Sequence, residues 1–292
     1  MADISKINAV LIANIAEIDD VLAANIAKVN GLVFSTAPAF TGLLDTYTGA
    51  AAAFSVRRLL SGYTGACMRV REDATDTETD IGFDSNGDLD TAAIATHCGS
   101  ANGYVTKWYG QESSGGTGSG NDAENSTQAD QPQIYNGSAV ITNNGVSALQ
   151  FDNSGTDRMF FTAITSCKYI TSVGGTDGTG FSVLLSTDTA STSFDRSHRV
   201  INGNKWFFDS GPPTDWFEES QGDAYINGSQ VTGRPSAASQ QLVLAWNTDP
   251  DPLFGFSSIS TNKNSRGWYG KIQEIIIYEN TDYSDSTNRC RS

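Results

Sequence analysis

The 292-residue chain is short of positive charge, histidine, cysteine, proline and long apolar runs. Its 18 Lys and Arg stand against 33 Asp and Glu, giving a formal charge of −15. Nucleic-acid affinity comes largely from Lys and Arg neutralising phosphates, so nucleic acid and anionic membrane surfaces are excluded as partners. No apolar run approaches the roughly 18 residues that a membrane-spanning helix needs, so no membrane insertion is expected. Asp3, Lys6, Glu17, Asp19 and Asp20 interrupt the start of the chain and leave no uncharged core for a secretion signal. Synthesis in a cytoplasm is the expectation.

The chemistry-bearing motifs are equally sparse. Only His97 and His198 are present, and His-Glu-x-x-His, Gly-x-Ser-x-Gly and a Gly-Lys-Ser/Thr phosphate loop are all missing. Metalloprotease, serine-hydrolase and nucleotide-binding motifs therefore fail, and no cofactor or metal is expected. Cys67, Cys98, Cys167 and Cys290 are widely spread, with no Cys-x-x-Cys pair to hold zinc or shuttle electrons. They read as reduced thiols, a Cys67–Cys98 bridge being the alternative. The 33 carboxylates offer too many candidates for sequence alone to pair an acid with a nucleophile.

What is present begins with a repeat. Ile4, Ile7, Leu11, Ile15, Ile18, Leu22, Ile26, Val29 and Val33 are spaced 3, 4, 4, 3, 4, 4, 3 and 4 residues apart, an eleven-residue period over three repeats. On a helix, eleven residues in three turns keep an apolar stripe nearly straight. This predicts an amphipathic helix within residues 1–33, capped by Asp3 and Gly31, of roughly 27 residues and about 40 Å at 1.5 Å per residue. Such a stripe needs a partner, and Ile-rich seams lean toward three strands, so a homotrimeric bundle is expected.

Residues 34–49 read as a linker. From residue 50 to 292, Asn-Gly pairs punctuate short apolar runs, at Asn86, Asn102, Asn136, Asn144, Asn202 and Asn227. Asn-Gly supplies the two positive-φ residues of a tight hairpin. The runs Phe181 to Leu185, Leu242 to Trp246 and Ile272 to Tyr278 read as strands, the last apolar on both faces. Thr91 to His97, after Asp90 as N-cap, reads as a short helix. The stretch Asp84-Ser-Asn-Gly-Asp-Leu-Asp90 has oxygen ligands at alternate positions, but its Gly is misplaced for a calcium loop, and it reads as a turn leading into that helix. The fold class predicted is all-β, an antiparallel sandwich or jelly roll behind an N-terminal helix.

A resemblance rests on Phe54-Ser-Val-Arg-Arg-Leu-Leu-Ser-Gly-Tyr-Thr-Gly65, Met68-Arg-Val-Arg71, Asp80-Ile-Gly-Phe83, Gly87-Asp-Leu-Asp-Thr-Ala-Ala93, Gly103-Tyr-Val-Thr-Lys-Trp-Tyr109, Asn121-Asp-Ala123 and Gln131-Pro132. This stretch resembles a module of phage structural proteins. It is also similar to the opening of the concanavalin A-like catalytic domain of B-type arabinofuranosidases. Gly267-Trp-Tyr-Gly-Lys-Ile-Gln-Glu-Ile-Ile-Ile-Tyr-Glu279 resembles the closing strand of laminin-G-like domains, and the N-terminal repeat resembles the opening of tailed-phage virion proteins. These resemblances imply a homotrimeric, non-enzymatic virion appendage, a tail or capsid fibre that meets other virion proteins through its N-terminus. An arabinofuranosidase-like enzyme domain and a decoration protein without ligand are the alternatives. The family's usual Trp-Tyr-Asp-Gln has Gly110 in place of that Asp, and any duty of its carboxylate is lost.

A host-surface carbohydrate, if the sandwich binds one, is expected on aromatic faces flanked by polar groups. Trp216 and Phe217 beside the Gly-Pro-Pro turn, with Asp215, and the pair Trp268 and Tyr269 are the candidate residues.

Overall fold

In a computed structural model of the chain, the described residues are 40–152, 156–165, 167–176, 182–186, 197–202, 205–206, 222–233, 241–247, 255–260 and 267–279, together with short paired segments between 6 and 33. The chain divides into two compact units, Met1–Thr41 and Gly42–Ser292.

In the first unit the eleven-residue period survives but the helix does not. Lys6–Ile7 pairs with Val10–Leu11, Glu17–Ile18 with Val21–Leu22, and Lys28–Val29 with Leu32–Val33, each antiparallel. The expected continuous helix is thus corrected to a hairpin recurring every eleven residues. The bundle argument, which needed the helical stripe, loses its basis. The physical reason lies in the residue types. Ile and Val are stiff at χ1 and favour extended backbone, and Asn or Asp follows the first strand of each pair, at Asn8, Asp19 and Asn30, residue types that favour turns. The side chains of Ile4, Ile7, Leu11, Ile15, Ile18, Leu22, Ile26, Val29 and Val33 lie outside the described residues.

The second unit is all-β and antiparallel, as expected. A single hydrogen-bonded network joins its main strands, and the helices among the described residues are short: Leu43–Thr46 and Thr91–Cys98, with a 3₁₀ turn at Gln128–Asp130. Asp90 caps the second helix, its carboxylate accepting from the Ala93 amide at 2.9 Å. Asn144 and Gly145, at φ 51° and 82°, form the expected hairpin turn, and Asn227 and Gly228 form another at 48° and 80°. Asn102-Gly103 does not turn. It opens the strand Asn102–Trp108, and a Cβ on Gly103 would meet the Cys98 sulfur at 2.8 Å, so this glycine serves close packing of helix on strand.

The strand Gly270–Tyr278 organises the unit. Ile272, Ile275 and Ile277 enter the main core with Phe54, Trp108, Phe151 and Phe161, while Ile276 and Tyr278 enter a second cluster with Leu44, Ala53, Leu59 and Tyr169. Burying each such Ile contributes roughly 1.5–3 kcal/mol. One edge of the strand pairs with Tyr169–Thr176 along its whole length. The other edge is shared: Ala52–Ser55 pairs with Glu274 to Ile277, and Leu149–Phe151 with Gly270 to Ile272. Between these two partners lies Gln273.

At that point the pairing with Tyr169–Thr176 also slips, from Val173 opposite Glu274 to Gly174 opposite Ile272. Gln273 is thus the extra residue of a β-bulge, and it lets Ile272 rejoin the face of Ile275 and Ile277. A Cβ on Gly174 would stand 2.5 Å from the Lys271 carbonyl, so the bulge requires glycine opposite it. Cys67, Cys98 and Cys167 are buried free thiols, not a bridge, and burial pushes Cys98 up to about 11 and Cys167 to about 12.

Candidate functional site

A cleft of about 480 Å³ opens where the last strand changes its edge partner. Its floor carries Gln273 and Glu274 from the bulge, Val173 from the neighbouring strand, and Ser55, Val56 and Arg57 from the strand that diverges there. Asp84, Asp88, Leu89 and Thr91 form one wall, and Gly145, Val146 and Ser147 the other.

Each wall is held by local chemistry. Asp84 Oδ1 accepts from the amides of Asn86 at 2.8 Å and Asp88 at 3.0 Å, closing the turn predicted there. That turn is laced to the floor: the Leu89 amide donates to the Val56 carbonyl at 3.0 Å and the Arg58 amide to the Gly87 carbonyl at 2.7 Å. On the other side, Gln273 Nε2 donates to the carbonyls of Asn143, Val146 and Ser147 at 3.3, 3.2 and 3.3 Å. The bulged glutamine therefore ties the hairpin to the strand that carries Glu274.

Glu274 is a buried carboxylate, 4 % exposed, beside open space. It accepts from Ser55 Oγ at 3.0 Å and from Arg57 Nε at 2.9 Å, with Arg57 Nη2 at 3.3 Å from its other oxygen. Two charge-assisted contacts from a planar guanidinium fix a carboxylate in direction as well as position. Burial opposes the Arg57 charge, but the carboxylates of Glu274 and Asp88 outweigh it and hold its pKa above the ordinary arginine value. Asp88 is exposed at the mouth. The lining carries carboxylates of Asp84, Asp88 and Glu274 against the one guanidinium of Arg57, a formal balance of −2. Paired carboxylates in a cleft can supply the acid and the nucleophile or base of glycoside hydrolysis.

A second acidic place differs in kind. Burial raises the pKa of Glu112 and of Asp122 above the usual carboxylate range, and the Asp122 charge adds to the rise at Glu112. Both help to hold a loop: Glu112 Oε1 accepts from the Asn121 amide, and Asp122 from the Gly110 amide at 3.0 Å. A Cβ on Gly110 would lie 2.6 Å from Glu112 Oε2 and 2.7 Å from the Asn121 nitrogen. The loop as built has no room for the Asp that the resembled family carries at this position.

Of the residues expected to bind glycan, Trp268 and Tyr269 do not line this cleft. Asp215, Trp216 and Phe217 lie outside the described residues. Trp268 is 1 % exposed in the main core, its amide donating to Ser260 Oγ at 2.8 Å, so its ring offers no face for stacking. Tyr269 is half-buried, and its carbonyl accepts from Thr176 Oγ1 at 2.9 Å. The sequence assigns no site role to Ser55, Arg57 or Glu274, and Asp88 reads there as part of a turn. The available signal was the polar pair Gln273-Glu274 inside an otherwise apolar strand.

No family model matches the chain, and no curated protein matches it. Three solved structures are similar. An arabinofuranosidase in complex with arabinofuranosyl-α-1,2-xylobiose shares 18 % identity at a TM-score of 0.57, covering 85 % of this chain and 63 % of its own. A GH54 α-L-arabinofuranosidase soaked with a cyclic sulfate inhibitor shares 16 % at 0.54, covering 84 % and 62 %. An E221Q mutant of a GH54 α-L-arabinofuranosidase, soaked with 4-nitrophenyl α-L-arabinofuranoside, shares 17 % at 0.52. The chain spans less than two thirds of the length of these enzymes. At this identity the likeness establishes a shared β-sandwich fold. It also corrects the expectation of a non-enzymatic virion fibre: the three similar structures are arabinofuranosidases, which favours the alternative, and none is a virion protein.

Proposed function

We propose that the unit Gly42–Ser292 is a carbohydrate-active domain of the arabinofuranosidase type, on a concanavalin A-like sandwich, which hydrolyses a glycoside of a neutral sugar in the cleft over Glu274. The observation that carries this reading is Glu274 itself, a buried carboxylate fixed by Ser55 and Arg57 at a β-bulge and facing open space. Bulges are over-represented beside active sites because they re-aim side chains. A net negative lining disfavours uronates and phosphosugars and suits neutral hydroxylated rings.

In this reading Glu274 faces the positive charge that develops at the anomeric carbon, and Asp88 relays a proton to the departing oxygen. The glycosidic C–O bond breaks, the leaving group departs as an alcohol or phenol, and water supplies the hydroxyl on the sugar and restores the proton. Because a fold hosts many functions, the residues rather than the fold must carry the test.

The experiment is turnover of 4-nitrophenyl α-L-arabinofuranoside by the full chain, with Glu274→Gln and Asp88→Asn as separate variants. Turnover lost in both while the melting temperature holds is the expected result. Turnover that survives both substitutions moves the chemistry to another site, and a wild-type chain inert toward arabinofuranosides and other aryl glycosides defeats the enzyme reading.

A further inference from the structure

We infer that the hairpin Thr142–Asn143 and Val146–Ser147 is the subsite for the group attached to the sugar, selecting glycosides whose neighbouring unit offers a flat C–H face, an aryl ring or a second sugar ring. This rests on the reading of the cleft as a glycoside site.

The first support is exposure. Among the described residues, Val146 is the large hydrophobic side chain left exposed, at 50 %, and it lies on the cleft wall. The rest of the lining carries Asp84, Asp88, Arg57 and Glu274, which suit hydroxyls, beside the apolar Val56, Leu89 and Val173. Charged groups around Glu274 and an exposed valine on the hairpin distinguish two parts of a ligand: hydroxyl-bearing edges toward the charges, and C–H faces toward Val146.

The second support is rigidity. Asn144 and Gly145 adopt left-handed backbone conformations at φ 51° and 82°, a two-residue turn whose twist matches its strands. Gln273 Nε2 then reaches three carbonyls of the same hairpin, those of Asn143, Val146 and Ser147. Gln273 is the immediate neighbour of Glu274, so the hairpin is registered against the carboxylate rather than hung on a free loop. A rim held this way loses little freedom when ligand arrives, and its apolar contact goes into discrimination. Gln273 is accordingly a positioning residue.

The test uses two ligands on wild type, Val146→Asp, Val146→Thr and Gln273→Ala. One is the aryl glycoside 4-nitrophenyl α-L-arabinofuranoside, read by its Michaelis constant. The other is free L-arabinose, which lacks the attached group, read by its inhibition constant. The inference predicts that Val146→Asp raises the Michaelis constant for the aryl glycoside about tenfold relative to the L-arabinose constant, the discrimination that a small change of apolar contact supplies. Val146→Thr, which keeps the shape, gives a smaller shift of the same sign. Gln273→Ala moves the same ratio through a loosened hairpin. Equal loss for both ligands, or no change in the ratio while Glu274→Gln abolishes turnover, overturns the subsite and leaves the cleft reading standing. A wild-type chain that neither turns over the glycoside nor binds L-arabinose overturns both.

Discussion

From Ile275 to Tyr278 the last strand buries an apolar side chain on each face, dividing its residues between two hydrophobic clusters. At Gln273 and Glu274, a few residues earlier, the same strand buries a polar pair, slips its register and opens into a cleft. The two halves share one backbone and one neighbour, Tyr169–Thr176, yet only one is explained by packing. Apolar burial rewards shape alone, whereas a buried carboxylate is costly unless it is paired, and Ser55 and Arg57 pair this one. The difference teaches where to look for chemistry in a β sandwich: where the strand departs from its own regularity at a cost.

Substitutions in the two halves should therefore separate stability from activity. The largest effect is expected from Glu274→Gln, which removes the charge and keeps the shape: turnover of an aryl arabinofuranoside falls by about 10²–10⁴-fold. Because Arg57 is half exposed and can be solvated, the melting temperature should change little. A fall in stability that accounts for the lost activity would break the comparison, placing Glu274 with the packing residues.

Next comes Ile275→Ala, which truncates a fully buried side chain in the main core and should cost about 2–5 kcal/mol by denaturant titration. Activity per folded molecule should stay near wild type. Gly174→Ala is expected to cost less, about 1–3 kcal/mol, by forcing a Cβ against the Lys271 carbonyl opposite the bulge. It should also disturb the cleft, because the bulge sets the position of Gln273 and Glu274; a variant that loses stability while substrate affinity stays unchanged would dissociate the bulge from the site.

The smallest effect is a pH slope away from the cleft. Burial, with the charges of Asp152 and Asp130 adding to it, pushes Asp157 up to about 7 from 3.8. The fold therefore favours its protonated form. Its contribution to stability is complete below about pH 4 and is lost as pH rises through about 7. Glu112 and Asp122, also raised by burial, act in the same direction. Melting temperatures of Asp157→Asn measured from pH 4 to 8 should show a shallower decline than wild type, and an unchanged slope would remove Asp157 as its source.

Much of the sandwich was legible because its signals are local. Asn144-Gly145 and Asn227-Gly228 demand positive φ, Asp90 is a helix cap by type and place, and Ile272 to Tyr278 can be buried only from both sides. The N-terminal repeat misled because spacings of 3 and 4 describe an amphipathic helix and also a hairpin repeated every eleven residues. There the β-branched residues and the Asn or Asp after each first strand were the better guide. The site was illegible for a different reason. Ser55 with Arg57, Asp88 and Glu274 come from three separate parts of the sequence and meet only where one strand exchanges its partner, which is a property of topology. Trp268 drew attention as an aromatic beside Tyr269, but composition does not say which way a ring faces, and the core claims it.

The central claim is that the cleft over Glu274 holds a sugar. A crystal structure of the Glu274→Gln variant soaked with 4-nitrophenyl α-L-arabinofuranoside tests it most directly. The account predicts the arabinose ring over the paired Arg57 and Asp88, with residue 274 within hydrogen-bond reach of the sugar and the aryl group against Val146. An empty cleft with the ligand bound elsewhere on the same crystals would contradict it.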